Sequence, residues 1–262
     1  MNRLNEWLYP FVGAFFDKHL YQEAVHVWRA VPFPIIIIAV IIGNLPGMLV
    51  TQNLIQALRD EAYLIIDQLP PLKLANGELS TTITQPKPLY NSSHKQIGVF
   101  NPKPTNPSLD EHLLFAINPK ELVFATPQLL NPQIHEISHT SYPSHYNGDV
   151  TASILKHQVD LGYVLTKLIL PLFVLCLMFF VFILEGVLVA IIGLGLSHFQ
   201  NKDLSIKPLF RIAIIALLPT QVISCVFAFA GIEFNYQPYV LFISSLFFLY
   251  FGIHASQSDK KN

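Results

Sequence analysis

Residues 135–145 read HEISHTSYPSH. His135, Glu136 and His139 fit the pattern H-E-x-x-H, and His145 follows six residues after His139, the spacing of a three-histidine zinc hydrolase. The chemistry would be metal-assisted peptide hydrolysis. Two imidazoles hold the ion, and Glu136 takes a proton from the water bound to it. That arrangement requires a helix, with the two ligands one turn apart. Asn131 can cap such a helix and Pro132 suits its first position. Two features oppose it. Tyr142 occupies the place where the three-histidine pattern has a glycine, and a tyrosine resists the turn a glycine permits. The pattern also needs a later methionine turn, yet the methionines are Met1, Met48 and Met178. Zinc held by His135, His139 and His145 without catalysis, pH sensing and a solvated loop are the other readings. Histidine titrates near neutrality, and His94, His112 and His157 lie in the same segment as the three.

A second pair of residues stands out by charge. Glu185 lies in the apolar stretch FILEGVLVA, and an ionisable group inside a span is a functional suspect. Arg211, at the start of the next apolar stretch, is a candidate partner. Contact with the cytoplasmic interface or pairing with Arg211 would be a structural role for Glu185; a proton-linked transporter component is the functional alternative. Neither a phosphate loop, a dinucleotide fingerprint nor a Ser/His/Asp arrangement is present, so no catalytic residue is assigned. No cofactor is expected apart from zinc under the histidine reading.

The elements that position these residues follow from composition. The chain has 262 residues, 52% hydrophobic and only 13% charged, against roughly 25% charged in a soluble domain. Too little charge remains to solvate a globular surface, which points to a membrane protein with lipids as partners. A net charge of −1 offers no basis for binding nucleic acid. Four apolar segments, 31–50, 164–196, 209–231 and 238–254, approach or exceed the roughly 20 residues a helix needs to cross the hydrocarbon core. The first reads as a retained anchor, since no A-x-A-type cleavage site follows it. Arg3, Lys18 and Arg29 before the first span, Lys202 and Lys207 in the loop 197–208, and Lys260 and Lys261 in the tail 255–262 fall on one side only if 164–196 crosses once. Positive residues mark the cytoplasmic side. Both termini are therefore expected in the cytoplasm, with 1–30 an interfacial segment and 51–163 outside.

The segment 51–163 has its own character. Its prolines exclude long helices between Pro70 and Pro143. LKLANGELSTTIT (72–84) reads as a hairpin turning at Asn76-Gly77. QIGVFN (96–101) reads as a strand, and 113–126 as two strands joined by Asn118-Pro119-Lys120-Glu121. The flanks 51–68 and 150–163 read as helical stalks continuing the spans. The expected fold class is thus membrane α-helical: four transmembrane helices with a small β-rich extracytoplasmic domain inserted between helices 1 and 2.

Three stretches carry a family resemblance. FFDKHLYQEAVHVWRAVPFPIIII is an aromatic-rich approach to the first span, LPPLKLANGELSTTITQPKP a proline, strand and Gly-turn signature, and GLGLSHFQNKDLSIKPLFRIAIIALLP a loop between spans. On these the chain resembles the bacterial membrane family known as domain of unknown function 1189. Its second half is also similar to the wider group of Yip-type multi-spanning proteins. The resemblance implies an integral protein of the bacterial cytoplasmic membrane, without an assigned activity. Yip-type proteins suggest a role in organising or moving membrane proteins. The expected function is a non-enzymatic accessory, sensor or organiser that binds an envelope partner or ligand through the outer domain. A zinc-binding protein or metalloprotease and a transporter component are the alternatives.

Overall fold

The computed structural model describes residues 3–103, 113–127, 135–202 and 204–256, without the side chains of residues 3–7, 126, 127, 135 and 136. The chain divides into two compact units, residues 1–51 with 168–262, and residues 52–167. The Asn131-Pro132 cap, His112, Lys260 and Lys261 lie outside the described residues.

The first unit is helical. It contains α1 (Arg3–Gly13), α2 (Lys18–His26), the start of α3 (Phe33–Gln68), most of α4 (Ala152–Phe199), α5 (Ile206–Phe229) and α6 (Gln237–Ala255). Four of these, α3 to α6, are long and apolar enough to cross a membrane. The stretch 164–196 lies within one helix, continuous through Pro171. At 1.5 Å per residue, the 36 residues of α3 and 48 of α4 span about 54 and 72 Å. Both exceed the roughly 30 Å hydrocarbon core, so each has polar length left over. The α4 helix exposes Leu168, Leu172, Phe173, Phe180 and Leu184. A soluble monomer rarely keeps so large an apolar face in water.

The α5 helix is the centre of this unit. Every residue from Ile212 to Thr220 is buried, as expected of a helix that is apolar all round. Two glycines of α4 admit it. A methyl on Gly186 would lie 2.5 Å from Ile214 Cδ1, and one on Gly193 would lie 3.3 Å from Leu209 Cδ2. The amino-terminal segment, expected at the membrane interface, forms the two helices α1 and α2, and they pack on the bundle. Leu20, Tyr21 and Ala24 of α2 are buried, with Tyr21 edge-on to Phe251 of α6. The end of α6 is closed by side chains from elsewhere. Lys202 Nζ donates to the carbonyls of Ile253 and His254, both at 2.7 Å, and Gln22 Nε2 donates to that of Ala255 at 3.2 Å. The His26 ring lies 3.1 Å from the Ser256 carbonyl. These satisfy the last carbonyls a helix leaves without internal partners. They also gather α2, the α4–α5 loop and the end of α6 at one end of the bundle.

The second unit holds the ends of α3 and α4 and, among the described residues, eight strands. A three-stranded antiparallel sheet has the order β2-β1-β8, from Leu72–Ala75 (β1), Glu78–Thr81 (β2) and Gly148–Val150 (β8). A five-stranded sheet has the order β3-β4-β5-β6-β7, from Lys87–Tyr90, Gln96–Phe100, Phe115–Ile117, Glu121–Pro127 and His135–Ser141. Asn76 and Gly77 take φ of 53° and 79°, the two positive values a tight hairpin turn needs. Among the described residues only β4 and β5 pair in parallel, and the connection between them, 101–114, has the length such a crossover requires. Gly98 on β4 is covered by the ring of Phe115, its partner on β5. Leu72, Leu89 and Phe100 form the core, with Ile65 of α3 and Leu69 just after it packed against them.

The stalk ends are joined by charge and aromatic contacts. Arg59 pairs with Asp160 at 2.7 Å, Lys156 pairs with Asp67 at 2.7 Å, and the Arg59 guanidinium lies 4.9 and 5.0 Å from the ring centres of Tyr63 and Tyr163. The Tyr63 hydroxyl and the Arg59 guanidinium hold the Asp160 carboxyl below its ordinary range.

Candidate functional site

The histidine segment folds as a strand, and this corrects the helix that the hydrolase pattern requires. Residues 135–141 form β7, paired along its whole length with β6. Positions 135 and 139 are therefore about 13 Å apart at about 3.3 Å per residue, not one helical turn. An offset of three also puts positions 136 and 139 on opposite faces of the strand. The physical reason is β6. ELVFATP is rich in β-branched and apolar residues, and it offers β7 a seven-residue ladder. A lone helical turn between prolines has no such partner. His139 Nδ1 lies 3.1 Å from Glu121 Oε2 on β6, a diagonal cross-strand pair. His145 is exposed in the turn before β8. Among the described residues no three His, Cys, Asp or Glu side chains gather to hold a metal. Tyr142, in the glycine position, donates its hydroxyl to the Asn118 carbonyl at 2.9 Å, and burial pushes its pKa up.

Glu185 is half-buried on α4. Arg211 lies in the second turn of α5, where its Nε donates to the Lys207 carbonyl at 3.4 Å. Among the described residues the two form no ion pair.

The second unit does build a concave site, much of it from residues 69–82, a stretch that carries part of the family resemblance but no catalytic motif. A groove of about 710 Å³ opens where β1, β2 and β8 meet the stalk ends. Ile66 comes from the end of α3, Leu69, Pro70 and Pro71 from its exit, and Ala152 and Leu155 from the first turn of α4. These make an apolar wall. Lys73 and Asp149, opposite each other in the β1–β8 register, add one charge of each sign, and Ser80, Thr81 and Thr82 add hydroxyls. Thr151, between β8 and α4, accepts a hydrogen bond from the Ile154 N–H at 3.3 Å and so caps α4 at the groove. An apolar cleft with a few converging polar groups is the usual form of a small-ligand site.

The family described as Protein of unknown function (DUF1189) matches residues 9–253, nearly the whole chain. The chain belongs to this family. No curated protein and no solved structure matches the chain. Family membership thus covers both units but assigns no activity to either. The groove residues escape a sequence reading because β1 and β8 are brought together from far apart in the chain. Two local signals touch it: residues 69–82 lie in a stretch that carries the family resemblance, and Thr151 precedes an apolar-periodic run, a helix-start mark at the groove's edge.

Proposed function

We propose that this DUF1189 protein is a non-enzymatic binding protein of the bacterial cytoplasmic membrane. It crosses four times with both termini in the cytoplasm, and the eight-stranded unit stands outside. There it takes an amphipathic envelope ligand, or the apolar side chains of a partner's extended segment, into the groove. The observation that carries this reading is the 710 Å³ groove itself, because its walls are the end of α3 and the start of α4. Strand β1 follows α3 after three residues, and β8 runs into α4 through the Thr151 cap. A ligand that spreads or closes the β1–β8 pair acts directly on both stalk helices. Differential binding to two arrangements of that junction is what a sensor or organiser needs.

The test is photocrosslinking in cells, with a photoreactive residue at Thr82 or Leu155 in the groove and at Ile137 on β7 as control. The expected result is an adduct from the groove positions, absent from the control and lost when Thr81→Trp fills the cleft. Equal adducts from all three positions, or adducts unchanged by Thr81→Trp, would reject the groove as the binding site.

A further inference from the structure

We infer that the helical unit carries a separate site for one anionic phospholipid, in the groove between the α2–α3 linker, α4 and the start of α5. This inference rests on the membrane-spanning part of the proposed function and is independent of the ligand groove. The groove has a volume of about 380 Å³, and Arg29, Lys207 and Arg211 line it with Val31, Val187 and Phe210. Three cations from two segments converge there. Among the described residues none of them has a carboxylate partner, since the ion pairs of the chain lie elsewhere. Helix α5 adds to the same field. Its N-cap residue, Ser205, makes no side-chain cap bond, and Pro208 in its first turn has no N–H. Ile206 and Lys207 of its first turn line the groove, so the positive end of the helix dipole lies at the groove wall.

Position decides between a lipid and a free anion. Arg29 comes shortly before α3 begins, while Lys207 and Arg211 fall in the first two turns of α5, whose buried apolar run starts at Leu209. The cations thus sit where apolar helix gives way to polar chain, the level of lipid headgroups. Below them, Val187 and Phe210 offer apolar surface to an acyl chain. Arginine suits a phosphodiester because its planar fork donates two parallel hydrogen bonds. A zwitterionic headgroup would set its own cation against three others. Charge complementarity and apolar surface together specify an anionic diacyl lipid.

The experiment uses the detergent-purified full chain carrying Trp7→Phe, so that the part-buried Trp28 beside Arg29 reports binding by fluorescence. Dioctanoyl phosphatidylglycerol is titrated, with dioctanoyl phosphatidylcholine and inorganic phosphate as separate arms. The expected result is saturable binding of phosphatidylglycerol, at least tenfold weaker binding of phosphatidylcholine, and neither binding nor displacement by phosphate. Arg29→Gln, Lys207→Gln and Arg211→Gln should each weaken binding roughly fivefold, and the triple variant should lose it. Val187→Trp, which keeps every charge but fills the cleft, should lose it as well and decides the matter if the triple variant does not fold. Equal binding of the two lipids, phosphate binding as tight as the lipid (a free-anion site), or unchanged binding in Val187→Trp would overturn the proposal. Thr81→Trp should leave this titration unchanged, which keeps the two sites distinguishable. Release of the chain from membranes by alkaline carbonate would sink the membrane reading and this site together.

Discussion

Replacing Gly252 by alanine tests whether α2 is a built part of the bundle or an adhering segment. A methyl at that position would press on the Tyr21 ring, 2.6 Å from Cε1, and lie 2.7 Å from Ile212 Cγ2. Neither neighbour can withdraw cheaply. Tyr21 is fully buried, its hydroxyl donates to the Ala14 carbonyl at 2.7 Å, and Ile212 is likewise at 0% exposure. Glycine to alanine in a helix is intrinsically favourable by up to about 1 kcal/mol. Overpacking a close-fitted core costs about 1–3 kcal/mol, so the change should destabilise. Less that full gain, the net loss is up to about 2 kcal/mol, which at about 2–4 °C per kcal/mol for a chain of this size lowers the melting midpoint by up to roughly 8 °C. The control is Gly195→Ala in α4, where an added methyl meets nothing within 4 Å. There the midpoint should stay level or rise by up to about 4 °C. The assay is heating in detergent followed by size-exclusion detection of the folded fraction. Tyr21→Leu should partly relieve the Gly252→Ala defect, giving a double variant more stable than the sum of the two single losses. If Gly252→Ala melted at or above the parent, the docking of Tyr21 on α6 would be refuted, along with the assignment of α2 to the bundle.

Other outcomes follow from the second unit. The Asp160 carboxyl titrates below its ordinary value when folded, so the native state binds fewer protons than the unfolded state in the interval between. Its contribution is thus complete above the usual carboxylate range and lost as pH falls through the lowered native value. The midpoint difference between the parent and Asp160→Asn should be flat from about pH 7 to 5 and shrink below about pH 4. A difference that grows on acidification would contradict the Arg59–Tyr63–Asp160 cluster. Equilibration with zinc should leave the same bound metal in the parent and in His139→Ala, because β7 holds positions 135 and 139 a strand's length apart. Stoichiometric zinc lost in His139→Ala would restore the three-histidine reading.

What was legible in the sequence was whatever depends on near neighbours. The Asn76-Gly77 turn is a property of two residues, and the four apolar helices follow from local composition. The continuity of α4 through Pro171 is a different matter. A proline removes one helical hydrogen bond, but inside an apolar stretch no competing solvation rewards breaking the rest. The docking of α2 on the bundle was hidden because its buried Tyr21 meets Gly252 and Ile212, more than 190 residues away. Periodicity cannot report a partner that distant. Both grooves were illegible for the same reason. Arg29, Lys207 and Arg211 are readable in the sequence as orientation marks, yet their convergence exists only once α2, α4 and α5 have packed.

The histidine segment shows how one string supports two geometries. H-E-x-x-H implies chemistry only when 3.6 residues make a turn. At two residues per repeat the same letters describe alternating faces of a strand. Periodicity within HEISHTS does not choose between them, because Ile137 is the single large apolar residue it contains. The choice lies in ELVFATP, whose backbone donors and acceptors need a ladder partner once β5 has paired along its other side. Pairing β7 there satisfies both strands, whereas a single helical turn at 135–139 would leave that edge of β6 open. Backbone hydrogen bonding thus outweighs a motif match. What the fold then offers the outer face of β7 is an exposed imidazole beside Glu121, a contact that orders a strand edge and needs no metal.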